Sequence, residues 1–466
     1  MGKSGGCHDT VDFESTCVCL VCAVSKQNAV SLFADSGVNV APTDDRKQAC
    51  RRLQITFFDK RTRTWRGSYD TARYGPLQRS NFPSSTTNPS TSIEGQTHQS
   101  RGATATAERH RLFNNNTQPD LGSRMKAAVI VGKGVVELRD HPTPTIGPDE
   151  MLVHMRSCGV CGTDIEKVHG EHITPPILGH EVAGDIEEIG KNVQGFNKGD
   201  RVIVHHHISC RSCFYCKNEL ETLCEAYPKS NLDPCGFAEH FRVPEALVKG
   251  GTAYRLPASM SYDDGSQVEP TACCIRALRK TGVSEGRSAA VFGVGPVGLT
   301  HVQLLKLYGA APIFAVDIIE NRRKIATKVG ADAAFDPITD DIPKEVADGT
   351  DSRGADLAIV ATGNPKAIQQ AIASVRKGGK VLLFGAPARG SQVSLDVSQL
   401  FLREISFESS YSASETEMRI ALELIDAEKI HPSTLITHRL PLERVADAIG
   451  LAESGKDAVK VIVQTQ

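Results

Sequence analysis

Residues 125–466 predict an α/β protein, in which a barrel-like β domain precedes a parallel sheet covered by helices. Three observations predict it. Short strand-like runs such as Met151–Met155 and Arg201–His205 fill the stretch from Met125 to about Val268, divided by Gly, Pro and Asp turns. Between about Cys273 and Tyr411, apolar runs at Ala289–Gly293, Ile313–Asp317, Leu357–Ala361 and Lys380–Gly385 alternate with helical stretches. The tail, Glu415–Gln466, reads as a helix, a strand-like turn, a second helix and a final strand at Val459–Val463. The expected domains are residues 125–272, completed by 412–466, with 273–411 between them.

The first 124 residues have a different composition. They carry 12 Arg and 4 Lys against 11 acidic residues, whereas the whole chain has a net charge of −2. Asn81–Ala107 is built largely from Ser, Thr, Pro, Gln and Gly. Such a stretch cannot bury enough apolar surface to offset its ordering entropy, so 1–124 is expected to be a low-complexity, disordered extension. Its acidic residues argue against an organelle transit peptide. Met125 opens a strand at once and is read as the working start, which would make the extension dispensable. The balanced charge gives no nucleic-acid footprint, and no apolar run reaches membrane-spanning length. A cytoplasmic location is expected, with the 14 cysteines serving as metal ligands and free thiols rather than a disulfide framework.

Cys210, Cys213, Cys216 and Cys224 follow the spacing C-x2-C-x2-C-x7-C. Two-residue gaps let the backbone turn around one thiolate, and the longer arm brings a fourth sulfur to the last corner of a tetrahedron. This is the donor set of a closed, structural zinc site with no position left for substrate. Cys7, Cys17, Cys19, Cys22 and Cys50 are irregularly spaced and are read as incidental thiols.

Gly293-Val294-Gly295-Pro296-Val297-Gly298 follows the strand Ala289–Phe292 and opens a helix running to about Tyr308. Gly293 permits the tight turn, Gly295 lets a pyrophosphate approach the backbone, and Gly298 lets helix and strand pack closely. The helix N-terminus offers free N–H groups to the phosphates. Asp317 ends the next strand. Its carboxylate would bond ribose hydroxyls and repel a 2′-phosphate, which favours NAD over NADP. Arg322 and Arg323 are the residues that could accommodate that phosphate instead. Gly293, Gly295, Val297, Gly298, Asp317 and Arg322 are the candidate cofactor residues.

Cys158-Gly159-Val160-Cys161-Gly162-Thr163-Asp164, Gly179-His180-Glu181 and Val268-Glu269-Pro270 supply a thiolate, an imidazole and two carboxylates from separated points. Catalytic zinc sites are assembled in that way, from three protein ligands and an open position. With the four-cysteine run and the glycine-rich turn, these motifs make Met125–Gln466 resemble the zinc-dependent medium-chain alcohol dehydrogenase/reductase family, especially its sorbitol and threonine dehydrogenase branches. The resemblance covers none of the first 124 residues.

The resemblance implies a GroES-like β-barrel catalytic domain and a Rossmann doubly wound sheet, with the active site in the cleft between them. It implies two zinc ions, one catalytic and one structural. Cys161 and His180 would be catalytic ligands, Glu181 or Glu269 the third, and Cys158 none. Asp164 would orient His180, and Thr163 would receive the proton of the substrate alcohol. Glu166 stands where many members place a relay histidine, with His169 three residues further on; either could serve. The implied reaction is hydride transfer between NAD and a polyol, secondary alcohol or amino alcohol. The implied assembly is a homodimer or homotetramer. A zinc-free quinone or enoyl reductase and a non-enzymatic dinucleotide-binding protein share the scaffold, but the retained ligand set speaks against both.

Overall fold

The structure is a computed structural model and describes residues 38–39, 54–59, 64–70, 123–170 and 178–466. The chain divides into two units, 1–115 and 116–466. In the first, Val38–Asn39, Gln54–Asp59 and Thr64–Asp70 pair as an antiparallel sheet. The low-complexity stretch 81–107 lies outside the described residues.

In the second unit, the strand Met151–Gly159 organises a seven-stranded sheet. It pairs antiparallel with Glu181–Ile189, His240–Val243 and the final strand Lys460–Gln464. Met151, Val153, Met155 and Cys158 enter a core shared with Phe237, Phe241 and Val463. The last strand lies directly beside the residues that lead into Cys161, with Ile462 opposite Gly159 and Val463 opposite Cys158.

Arg124–Gly132 and Val135–Pro142 pair as a separate antiparallel hairpin, and a third sheet has six parallel strands: Ala289–Phe292, Ile313–Val316, Ala333–Phe335, Ala355–Val360, Val375–Leu383 and Ser406–Ser409. Numbered along the chain, they lie in the order 3-2-1-4-5-6, the doubly wound arrangement whose ligands sit beyond the carboxyl ends of the strands. The first, second and fourth strands are buried almost throughout, which is why they read as continuous apolar runs.

The two layers are joined by the helix Val268–Thr281, which runs unbroken through residue 272 and carries Glu269 in its first turn. The tail divides between the two cores. Met418, Ala421 and Ile425 of the helix Glu415–Asp426 pack with Ala272, Ile275 and the parallel-sheet residues. Leu440, Val445 and Val461 join the barrel core.

Asp356, at the start of the fourth parallel strand, ties it to the approach of the first. Its Oδ2 accepts from the Ser288 N–H and hydroxyl, both at 2.9 Å. Its Oδ1 accepts from Arg376 Nε at 2.7 Å and Arg287 Nη1 at 3.0 Å. Burial opposes the charge, but the Arg376 and Ser288 bonds prevail and hold the acid down to about 2. A depressed carboxyl stabilises the fold above its unfolded pKa and loses that contribution as pH falls through its folded one. Asp356→Asn is therefore expected to lower Tm by about 2–4 °C at pH 7, with the gap to the parent closing between about pH 4 and pH 2. Calorimetry across that range checks it; a gap that stays constant down to pH 2 contradicts it.

Candidate active site

Cys161 caps the N-terminus of the helix Gly162–Val168. The buried Asp164 in that helix holds the local geometry together. Its Oδ2 accepts from the Cys161 N–H at 3.0 Å, and its Oδ1 accepts from the Gly179 N–H at 2.9 Å. Oδ1 also lies 3.5 Å from His180 Nδ1. One carboxylate thus fixes the backbone on both sides of the site and faces the imidazole, as a carboxylate that orients a ligand histidine does.

Cys161, His180 and Glu181 each place a donor atom within 4.8 Å of the other two. Burial alone would push the His180 imidazolium down, yet Asp164 and Cys161 carry it well above its ordinary range. The local field therefore favours positive charge, and a thiolate–imidazole–carboxylate set suits zinc. Cys158 is buried in the barrel core and is not part of the group. Glu269 is not part of it either; it stands with His205 and His206 in a second group. Cys273 Sγ lies 3.5 Å from Glu269 Oε1.

The sequence reading missed Lys460. It is only 2 % exposed, it pairs with Glu181 Oε2, and its ammonium donates to the Val160 carbonyl at 3.1 Å. Burial disfavours its charge, but Glu181, Cys161 and Glu269 more than offset that and raise it above its ordinary value. The available signal was a lysine inside the apolar run Val459–Val463, which a buried strand tolerates only beside a counter-charge. Gly159 makes the arrangement possible, because a Cβ there would overlap Glu181 Oε2.

Thr163 is exposed one position before Asp164. His169 Nε2 lies 2.8 Å from Glu453 Oε1. Residues 228–234 are described, while 171–177 lie outside the described residues.

The glycine turn shows the expected close approaches. Gly293 has φ +85°, and a Cβ on Gly298 would collide with the Gly293 carbonyl. Gly295 caps the helix Pro296–Leu307, and among the described residues only Arg322 comes near the face a Cβ would occupy. Val297 is half-buried in its first turn. Asp317 accepts from the Val294 N–H at 2.9 Å and the Ile319 N–H at 2.8 Å, so it also fixes the turn. Arg322 Nη1 stands 3.9 Å from Asp317 Oδ2, and Arg323 Nη1 stands 3.0 Å from Asp336 Oδ2.

Cys210, Cys213, Cys216 and Cys224 bring their sulfurs together within 4.8 Å. Cys213 and Cys216 sulfurs are 3.5 Å apart, and those of Cys210 and Cys216 are 3.9 Å apart. These spacings are far too long for a disulfide and match the edge of about 3.8 Å expected for a tetrahedral zinc–thiolate centre. Bonds from the Ser212 and Cys213 backbone and the Ser212 hydroxyl bring the Cys210 thiol down to about 6, toward the thiolate form. The Cys216 thiol is instead pushed up to about 11 by burial. Cys216→Ser is expected to remove one tightly held zinc per chain and to lower Tm by several degrees. Metal analysis and calorimetry check this; unchanged zinc content would rule out a metal at the lobe.

Residues 147–250 match the family model of the alcohol dehydrogenase GroES-like domain, and 296–427 match that of the zinc-binding dehydrogenase. The chain is 31% identical over 348 residues to sorbitol dehydrogenase of Bacillus subtilis, covering 73% of this chain and 97% of that one. It is 31% identical over 342 residues to L-threonine 3-dehydrogenase of Thermococcus kodakarensis, covering 71% and 95%. A Sinorhizobium meliloti 1021 protein classed as a zinc-binding dehydrogenase and solved with NADP superposes with a TM-score of 0.67 at 30% identity, covering 73% and 99%. The fold and the site define a zinc-dependent oxidoreductase. The chain belongs to the zinc-dependent medium-chain alcohol dehydrogenase family.

Among the described residues, no helix is long and apolar enough to cross a membrane.

Proposed function

We propose that the protein oxidises a polyol, secondary alcohol or amino alcohol to the carbonyl compound with NAD, and catalyses the reverse reduction. The grouping of Cys161, His180 and Glu181 carries this reading. Those three residues would hold the catalytic zinc, and the four-cysteine lobe would hold the structural one. When bound, the catalytic ion supplies Lewis-acid polarisation of the substrate oxygen.

This chain's own residues do the rest. Asp164 orients His180, and Lys460 fixes Glu181 through the buried ion pair. The exposed Thr163 hydroxyl accepts the substrate proton at Oγ1 and passes it outward, with Glu166 or His169 as the next station. The turn Gly293–Gly298, with Val297 in its first helical residues, offers its N–H groups to the cofactor pyrophosphate. Asp317 would bond the ribose hydroxyls and disfavour a 2′-phosphate. Arg322 and Arg323 are already engaged with carboxylates, which supports NAD over NADP despite the NADP seen in the Sinorhizobium meliloti relative. Oxidation of sorbitol and threonine by the named relatives points to substrates of that class. A homodimer or homotetramer is the expected assembly.

A screen of NADH production over sorbitol, xylitol, butanediol, threonine and simple primary and secondary alcohols tests the reading. At least one hydroxyl compound is expected to give zinc-dependent turnover, faster with NAD than with NADP. Turnover that survives complete removal of zinc would favour a zinc-free reductase on the same scaffold.

A further inference from the structure

The run His205-His206-His207 follows the strand Arg201–Val204, and the dehydrogenase reading gives it no role. His205, His206 and Glu269 each place a donor atom within 4.8 Å of the other two, and all three side chains are buried. They come from separate elements, the loop after that strand and the first turn of the helix Val268–Thr281. His205 Nε2 lies 3.2 Å from the Tyr227 hydroxyl. That hydroxyl is itself fixed by Ser412 Oγ at 2.7 Å and by the Ala413 carbonyl at 2.5 Å. The Nδ1 atoms of His205 and His206 are buried without a hydrogen-bond partner.

A core histidine normally satisfies both ring nitrogens, because an unpaired buried polar atom is costly. Here two adjacent imidazoles leave such atoms beside a buried carboxylate. One ring is held on its far side by a hydroxyl, as metal-ligating histidines are. Two imidazoles and a glutamate are an established zinc donor set.

We propose that His205, His206 and Glu269 form a second metal position beside the first, taking Zn2+ or another borderline divalent cation such as Co2+. Glu181 already completes the group with Cys161 and His180, so Glu269 is available to the two histidines. The positions are neighbours: the His180 and His206 rings lie 4.9 Å apart between centroids. The chain then holds three ions at saturation, namely one at the four-cysteine lobe, one at Cys161, His180 and Glu181, and one at this new position.

The test uses the untagged full-length protein with Zn2+ alone. After exhaustive dialysis two zinc ions per chain are expected, and calorimetric titration should then show a third binding event. His206→Asn should abolish that third event and leave the other two ions in place. With Co2+, the third ion should add d–d absorption without a sulfur-to-cobalt charge-transfer band, since this donor set contains no thiolate. Saturation of the parent protein at two ions overturns the proposal, as does a third event retained in a His205→Asn/His206→Asn variant or accompanied by a new thiolate band. The parent titration needs no variant, so a misfolded substitution cannot obscure the answer. Failure of the dehydrogenase reading would appear separately, as turnover unaffected by loss of Cys161 with the third ion still bound.

Discussion

Cys161→Ser is expected to lower alcohol oxidation by at least about a thousand-fold while leaving NADH binding within about twofold. The thiol is the one sulfur donor in the group with His180 and Glu181. Its backbone N–H is already committed to Asp164, so the loop should keep its shape when the sulfur is lost. The glycine turn that would receive the cofactor belongs to a different element and should be untouched. Steady-state kinetics with metal analysis and NADH fluorescence separate the two effects. Near-parental turnover in a variant lacking metal at this position would overturn the catalytic assignment.

The complementary substitution is Gly298→Ala. A methyl group there meets the Gly293 carbonyl, so the first turn of the helix Pro296–Leu307 must shift away from the strand Ala289–Phe292. Overpacking of this kind costs about 1–3 kcal/mol. The displacement falls on the N–H groups offered to the pyrophosphate, so the Kd for NADH should rise by about 10–100-fold. Zinc content should not change. Fluorescence titration checks the affinity; equal affinity for parent and variant would mean that the turn does not bind the cofactor. The pair of variants therefore dissects the protein, one losing chemistry with binding intact and the other losing binding with the metal intact.

Much of this was legible in the residues. Buried parallel strands show as apolar runs, so Ala289–Gly293, Ile313–Asp317, Leu357–Ala361 and Lys380–Gly385 stood out, although the fifth strand begins earlier, at Val375, in a polar stretch. Ala333–Phe335 did not, because three residues of Ala-Ala-Phe carry little pattern. Ser406–Ser409 is a mostly exposed edge strand and reads as a loop. Sequence motifs could name Glu181 and Glu269 as alternatives, but only folding sorts them into two groups. The roles of Lys460 and Tyr227 were hard to read for a similar reason, although the lysine in an apolar run hinted at a buried counter-charge. Each acts through partners far away in the chain, Lys460 on Glu181 and Val160, and Tyr227 on His205 and Ser412. Cysteine spacing is local and therefore loud, whereas long-range charge compensation is silent until the strands pair.

The buried pair between Lys460 and Glu181 gives the order of synthesis a meaning. Glu181 emerges from the ribosome early, but its counter-charge arrives on the last strand, which must slot in beside Met151–Gly159. Until then the pocket holds an unneutralised acid and a sheet edge open to water. A chain interrupted before Lys460 would keep nearly all of its mass, both glycine turn and cysteine lobe included, and still lack a finished reaction chamber. Lys460 thus acts as the closing stitch, and a product released before it would lack the counter-charge of Glu181.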